Sequence, residues 1–179
     1  MKKITLLTLL LGFSIALSAQ TVEVGGEAMY PKKDIISNAV KSADHTTLVA
    51  AVKAAGLVET LQGEGPFTVF APVNDAFENL PEGTVEGLLK PEAKKQLQAV
   101  LTYHVLAGNY DFDALAKAIK KGDGKAVLKT VQGGELTFMM NGPHNIVMKD
   151  AQGNTANITT YDVYQKNGVI QVIDQVLMP

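Results

Sequence analysis

The sequence predicts an α+β protein with most of its helices in the N-terminal half. Apolar residues recur at helical spacing over much of residues 34–121. From residue 125 onward, short segments typical of strands are separated by glycine turns such as Gly133-Gly134. Helices and strands that occupy separate parts of a chain favour the α+β class. A length of 179 residues and a hydrophobic content of 46% fit one domain with a buried core.

The first 19 residues have the pattern of a secretory signal peptide. Lys2 and Lys3 precede the apolar run Ile4–Leu17, and small residues before Gln20 suit cleavage after Ala19. A membrane anchor is the alternative, but spanning needs roughly 20 apolar residues and this run is shorter. We therefore expect an exported protein that is extracellular, on the cell surface or in the periplasm.

The mature chain is divided into a linker, residues 20–33, and a domain, residues 34–179. The linker contains Gly25-Gly26 and Pro31 and shows no sustained apolar periodicity. No repeat of 20–50 residues is visible, so a repeat array is not expected.

The helices are predicted from apolar spacing and from their start and stop signals. Asp34 precedes the first helix, Asp44 or Thr46 begins the second, and Gly56 ends it. Further helical segments are expected at 57–61, 74–80, 85–90, 91–104 and from Asp111 or Asp113 to Lys121.

The strands are predicted as short runs between turn residues. They cover 67–71, 126–131, 135–140, 145–149, 155–161 and 168–178. The first has apolar side chains on both faces, which suits a covered position, and Pro72 ends it because proline has no N–H to donate.

Composition excludes several kinds of chemistry. There is no cysteine, so disulfides, thiolate nucleophiles and cysteine-bound metals are absent. All 16 basic residues are lysine, and the net charge is −2. Because the chain has no arginine and its net charge is negative, nucleic-acid binding is not expected. No phosphate loop or nucleophile motif is present, and we expect no cofactor.

The three histidines give no paired spacing for a metal site. His104 lies on the apolar stripe of its helix and is expected to be a core histidine satisfied by a hydrogen bond. His45 is expected to be exposed at a helix start, and His144 to lie in a turn. A hydrolytic protein that uses His104 or His144 with nearby carboxylates is kept as the weaker alternative.

Three blocks of the chain resemble the fasciclin domain family. They are Phe67–Phe77 (FTVFAPVNDAF), Tyr103–Gly108 with its Tyr-His pair, and Asn167–Pro179 (NGVIQVIDQVLMP). The positions that match the family signatures are Thr68, Phe70, Pro72, Asn74, Asp75, Phe77, Asn167, Gly168 and Asp174.

Two positions depart from the family pattern. Val73 stands where the family usually has Thr, and Gln171 stands where it usually has His. Because Val73 has no side-chain oxygen, we expect Asn74 to cap the helix that follows the strand, with Asp75 in its first turn. Gln171 can still donate and accept, so we expect it to keep a structural hydrogen bond.

The resemblance implies a wedge of β-strands packed with a helical bundle. It also implies a non-enzymatic adhesion module, secreted or on a surface, with a protein or polysaccharide partner at the envelope. By the same resemblance, the candidate partner contacts are Tyr103, His104, Asp162 and Val163, because the corresponding residues of animal family members are proposed to contact integrins. The leader suggests a bacterial source, in which no integrin partner is expected. A self-associating structural protein of the envelope is the alternative, and a monomer is favoured.

Overall fold

A computed structural model describes residues 21–179, and the predicted signal peptide lies outside the described residues. The helices are α1 (Ile35–Ala39), α2 (Thr46–Ala55), α3 (Val58–Gln62), α4 (Asn74–Glu78), α5 (Thr84–Leu88), α6 (Lys94–Tyr103) and α7 (Phe112–Lys121), with 3-10 turns at Ala43–His45 and Pro91–Ala93. The strands are β1 (Val22–Val24), β2 (Glu27–Met29), β3 (Phe67–Pro72), β4 (Val105–Ala107), β5 (Lys125–Lys129), β6 (Glu135–Met140), β7 (Ile146–Lys149), β8 (Thr155–Gln165) and β9 (Gly168–Ile173).

Seven strands form one sheet in the order β4-β3-β9-β8-β7-β6-β5. The pair β3 and β9 is parallel, with Phe67 opposite Gly168 and Pro72 opposite Ile173. The other neighbours in the sheet are antiparallel. The sheet and the helices, which all end before residue 122, form the predicted α+β arrangement, which is confirmed.

Strand β3 lies between two hydrophobic cores. Val69 and Ala71 belong to the core under α1, α2, α3 and α6, whereas Phe70 belongs to the core under α7 and strands β5 to β8. Phe70 is fully buried and its ring centroid lies 5.4 Å from that of Phe138. The prediction that apolar side chains on both faces place this strand in a covered position is therefore confirmed.

The segment predicted as a linker, residues 20–33, contains a β-hairpin. Strands β1 and β2 pair antiparallel through the turn at Gly25-Gly26, where both glycines have positive φ. Val24 and Met29 are buried in the core under α1 to α3. Residues 22–29 therefore form a hairpin that packs on this core, which the lack of apolar periodicity did not indicate.

Strand β8 is longer than predicted and β9 is shorter. The register between them shifts twice near Asp162, and pairing resumes with Val163 opposite Ile170. This bulge lets β8 bend and continue to Gln165. Strand β9 ends at Ile173. The carboxylate of the next residue, Asp174, accepts from the backbone and side-chain amides of Asn157, at 2.7 and 2.8 Å.

Candidate functional site

The three signature blocks are neighbours in the sheet. The first block forms β3, which pairs with β9 of the third block on one side and with β4 of the second block on the other. The β3–β9 contact is so close that a Cβ on Gly168 would collide with the carbonyl oxygen of Phe67. Packing between the two strands therefore requires a glycine at position 168.

Asn167 joins the start of β9 to two helices. Its Oδ1 accepts from the backbone N–H of Ile35 at 3.1 Å, the first residue of α1. Its Nδ2 donates to the carbonyls of Leu61 and Gly63 at 2.8 and 3.0 Å, which lie at the end of α3. One buried amide thus satisfies backbone groups at the ends of two helices, which explains an Asn in the closing signature.

Thr68, on β3, has a similar role toward the loop that follows β4. It is fully buried, its hydroxyl donates to the carbonyl of Gly108 at 2.8 Å, and it accepts from the N–H of Tyr110 at 2.8 Å. This hydroxyl fixes the loop that leaves β4, so Thr68 is a structural member of the first signature.

The prediction that Asn74 caps its own helix is wrong. The N-cap position of α4 is Val73, and no side chain caps the helix. Asn74 instead accepts from the N–H of Thr47 at 3.1 Å and donates to the carbonyl of Ala43 at 2.8 Å. Thr47 is the second residue of α2, so Asn74 caps a neighbouring helix whose own cap position, His45, makes no capping bond.

Asp162 is the residue of the β8 bulge, with φ of 58°. A left-handed conformation is uncommon for residues other than glycine, and aspartate tolerates it better than most. Its Oδ1 accepts from the N–H of Phe112 and from Nε2 of Gln171, both at 2.8 Å. The carboxylate therefore links the bulge to the start of α7.

Gln171 keeps the structural hydrogen bonds expected of it. Its side chain is fully buried, and its Oε1 accepts from the N–H of Asp162 at 3.0 Å. Its Nε2 donates to the carbonyl of Tyr110 at 3.1 Å and to Asp162. All the polar atoms of the amide are thus used inside the fold, and the prediction is confirmed.

The candidate contacts Tyr103, His104 and Val163 lie beneath the surface, and only Asp162 is partly exposed. The Tyr103 hydroxyl donates to the carbonyl of Glu135 at 2.7 Å and accepts from the N–H of Ala151 at 3.1 Å. These contacts give Tyr103 a structural role in the second core. That the four residues bind a partner stays a prediction.

His104 is a core histidine, as predicted. Its Nδ1 lies 2.8 Å from the carbonyl of Val100, and its Nε2 accepts from the N–H of Leu177 at 3.0 Å. Donation from Nδ1 and acceptance at Nε2 define the neutral ring. Burial lowers its pKa to about 4, against the smaller effects of the Val100 carbonyl and the Asp150 charge. Both nitrogens are committed to backbone groups.

The other two histidines differ from each other. His144 lies in the exposed turn between β6 and β7, as predicted. His45, which was expected to be exposed, is only 3% exposed, so that prediction is wrong. The 3-10 turn Ala43–His45 directs its ring inward against the first core instead of toward solvent.

Next to the Asp162-Val163 pair, the surface contains a polar groove of about 660 Å³. Four connections form it: the one between β2 and α1, the one after α3, the one after β4 and the one between β8 and β9. The groove residues with side chains that can bind are Asp34, Gln62, Glu64, Asn109, Tyr164 and Lys166. Tyr164 is the aromatic residue of this set, and its side chain is 45% exposed.

Tyr164 is held at the groove by a neighbouring acid. Its hydroxyl donates to Oδ2 of Asp111 at 3.2 Å. Partial burial and the negative charges of Asp162 and Asp111 raise the pKa of Tyr164 to about 12, so the phenol is neutral at physiological pH. A neutral aromatic ring with amides around it can stack on an apolar face and donate or accept hydrogen bonds.

Sequence reasoning did not find this groove. Gln62, Asn109 and Tyr164 come from three separated parts of the chain and form no motif. The one available signal was the position of Tyr164 directly after the Asp162-Val163 pair.

Within residues 21–179, no helix is both long enough and apolar enough to cross a membrane. The same part of the chain has no group of three His, Cys, Asp or Glu side chains placed to hold a metal ion.

Comparison with known proteins agrees with the three signature blocks. The family model of the fasciclin domain matches residues 43–179. Protein sll1483 of Synechocystis sp. is 41% identical over 191 aligned residues, which cover 99% of this chain and 96% of that protein. The cell surface glycolipoprotein MPB83 of Mycobacterium bovis is 39% identical over 69% of this chain.

Some relatives are much longer than this chain. The chain spans 48% of the length of MPB83. It is 38% identical to the transforming growth factor-beta-induced protein ig-h3 of Sus scrofa over 74% of this chain, which corresponds to 17% of that protein. A solved structure of a FAS1 domain pair from the insect cell adhesion molecule Fasciclin I has the same fold. It matches 82% of this chain and 51% of that chain, with a TM-score of 0.70 and 18% identity. This chain therefore belongs to the fasciclin domain family.

Proposed function

We propose that this chain is an exported, non-enzymatic adhesion module that binds a protein or polysaccharide of the cell surface or envelope through the polar groove beside Tyr164. The observation that supports it most is the fasciclin family match over residues 43–179, together with a relative that is named as a cell surface glycolipoprotein. The predicted signal peptide at residues 1–19 supports export.

The chemistry of the groove suits a polar partner. Exposed amides at Gln62 and Asn109 offer both donors and acceptors, while Tyr164 offers a flat apolar face. Charges of both signs are present at Asp34, Glu64 and Lys166. This combination suits sugar hydroxyl groups or a polar stretch of a protein surface, and it offers no concentrated charge for a strongly ionic ligand.

The two alternatives receive less support. A hydrolytic role for His104 would need a free ring nitrogen, and both are bonded to backbone groups. His144 lies in an exposed turn, and it is in no group of three metal-binding side chains among residues 21–179. Self-association through a sheet edge would use β4 or β5, but β5 begins and ends with lysine, a common protection against edge pairing. We therefore propose no catalysis and a monomeric module.

Export is tested first. The full-length chain should be secreted by a bacterial host, and the intact mass of the exported protein should correspond to a first residue of Gln20. Retention of residues 1–19 on the exported protein would contradict a cleaved leader.

Binding is tested with the exported protein on a glycan array and in a pull-down from envelope fractions. Tyr164→Ala removes the aromatic face of the groove, and Val127→Ala is the matched control, since Val127 is 49% exposed on the far edge strand. We expect capture of a partner by the wild type and by Val127→Ala, and loss of capture by Tyr164→Ala. Silence of the wild type in both assays, or equal capture by Tyr164→Ala, would overturn the proposal.

A further inference from the structure

A second site lies inside the molecule, between the sheet and the helices. It is a cavity of about 70 Å³ on the face of β3 and β9 that is covered by α1, α2 and α3. Its walls are largely apolar side chains, such as Ile36, Leu48, Leu61, Val69 and Ile170. The cavity is separate from the polar groove that the proposed function uses.

His45 is a polar side chain in the wall of this cavity and is nearly buried, with 3% exposure. Its Nδ1 lies 2.9 Å from the hydroxyl of Ser42. Its Nε2 has no hydrogen-bond partner. Within residues 21–179 it is the only buried side-chain nitrogen or oxygen atom without one. Because Nδ1 is directed to Ser42, Nε2 is the ring nitrogen left for an occupant of the cavity.

The ring of His45 is neutral at physiological pH. Burial lowers its pKa, and this outweighs the opposite effects of the Ala71 backbone and the Asp44 charge. A neutral imidazole offers one hydrogen-bonding atom to an uncharged oxygen, as donor or acceptor according to its tautomer. The cavity therefore presents an apolar surface with one polar atom that suits an uncharged group.

His104 shows how the fold satisfies a histidine when no occupant is needed. It lines the same cavity, yet both of its ring nitrogens bond to backbone groups. Leaving a buried polar atom unpaired costs about 1–3 kcal/mol, so such atoms are rare. The contrast indicates that Nε2 of His45 is placed for a partner that the chain does not supply.

Water is poorly suited to this position. By volume the cavity exceeds the roughly 10–15 Å³ that one water molecule requires, but a buried water needs about two to four polar partners. Apart from Nε2 of His45 and the Ala71 backbone beside the ring, the wall is largely apolar, so a water molecule would have at most the low end of that number. A cavity of about 150 Å³ binds benzene, so a smaller apolar molecule matches the volume here.

We propose that this cavity binds a small amphiphile, a short aliphatic body with one uncharged oxygen, and that the oxygen bonds to Nε2 of His45. The exposed side chains of Lys53 and Thr60 also line the cavity, so it comes close to the surface between α2 and α3. An occupant can enter there by small movements of α3, a helix of five residues.

The test uses the full exported chain and two probes, 1-butanol and xenon. In NMR titrations of the wild type, we expect saturable shifts of methyl groups that line the cavity for both probes, and mutual competition. The ¹⁵N resonance of His45 Nε2 should move with 1-butanol and much less with xenon, because only the alcohol forms a hydrogen bond.

His45→Leu keeps the cavity apolar and removes the polar atom, and His144→Leu is the matched control at an exposed histidine. His45→Leu should weaken 1-butanol binding about fivefold, the effect of one neutral hydrogen bond, and should retain xenon. His144→Leu and the groove variant Tyr164→Ala should bind both probes as the wild type does.

Equal affinity of His45→Leu and the wild type for 1-butanol would overturn the proposal. If His45→Leu fails to fold, the wild type decides: an Nε2 resonance that stays unchanged at saturating 1-butanol, or no saturable shift at all, would also overturn it.

Discussion

Asn74 shows how one side chain can stabilise an element other than its own. Its amide bonds to the N–H of Thr47 and to the carbonyl of Ala43, both at the start of α2. The sequence indicated a cap at this asparagine, because cap residues at a strand-to-helix junction are common. It gave no sign that the capped helix would be α2, since that depends on the packing of α4 against α2.

Asn74→Ala should lower the free energy of unfolding by about 1–2 kcal/mol, because it leaves the start of α2 without its cap. Urea unfolding measures the loss, and Asn79→Ala, at an exposed amide in the C-cap position of the same short helix, should change little. Hydrogen exchange of the Thr47 amide should become faster in Asn74→Ala. Unchanged exchange at Thr47 would contradict the assignment of this cap.

His104 links stability to pH. The pKa of the folded state is lowered to about 4, below the ordinary value of 6.5, because the buried ring cannot easily take a proton. Between pH 6.5 and 4 the unfolded chain binds more protons than the folded chain, so stability falls as the pH falls through this range. His45, whose pKa is also lowered by burial, acts in the same direction.

Lowering the pH from 7.5 to 4 should therefore cost about 3 kcal/mol through His104 alone. Urea unfolding at a series of pH values measures this loss, and His104→Gln, which cannot titrate, should show a shallower dependence between pH 6.5 and 4. An identical slope in both proteins would show that the buried imidazole does not control the loss.

Gln171 occupies the position where the resemblance led us to expect histidine, and its amide bonds to the Asp162 bulge and to Tyr110. Gln171→Leu should destabilise the protein by about 2–4 kcal/mol, because it leaves buried polar groups of Asp162 and Tyr110 unpaired. Thermal and urea unfolding measure the loss, with the exposed Gln96→Leu as control. A loss no larger than that of the control would contradict the role assigned to this network.

Among the elements, the helices agreed best with sequence reasoning because their signals are local. Gly56, with φ of 73°, ends α2 where the sequence indicated, and Asp111 caps α7 by accepting from Ala114 at 2.9 Å. The end of β8 was not predictable in the same way. It depends on the bulge at Asp162, which is stabilised by contacts to Phe112 and Gln171, 50 and 9 residues away.

The hairpin of β1 and β2 was missed because each strand has only three residues. Two of its side chains are buried in the core, and one of them, Met29, is 3% exposed. Met29→Ala should cost about 2–5 kcal/mol by opening a cavity beside α1. Urea unfolding measures this, and the exposed Glu27→Ala in the same strand should stay within about 0.5 kcal/mol of the wild type. A loss of stability in Met29→Ala as small as that in Glu27→Ala would show that the hairpin is only loosely attached to the core.

For the whole molecule, the parallel pairing of β3 with β9 brings together residues about 100 positions apart. Composition and periodicity predicted both strands but not their partnership, because pairing between distant strands is decided by the packing of both cores. The same holds for the polar groove, whose walls come from four connections that are far apart in the sequence. The family resemblance supplied the fold that local signals alone did not specify.

The most direct test of the proposed function is the equilibrium affinity for the captured partner of the wild type and three variants. Tyr164→Ala should weaken binding at least about tenfold, as expected for an aromatic anchor, if the groove is the binding surface. Tyr164→Phe should stay within about threefold of the wild type, because the ring is kept and the lost bond to Asp111 lies within the chain. Val127→Ala should bind as the wild type does. A folded Tyr164→Ala that binds as tightly as the wild type would contradict the account.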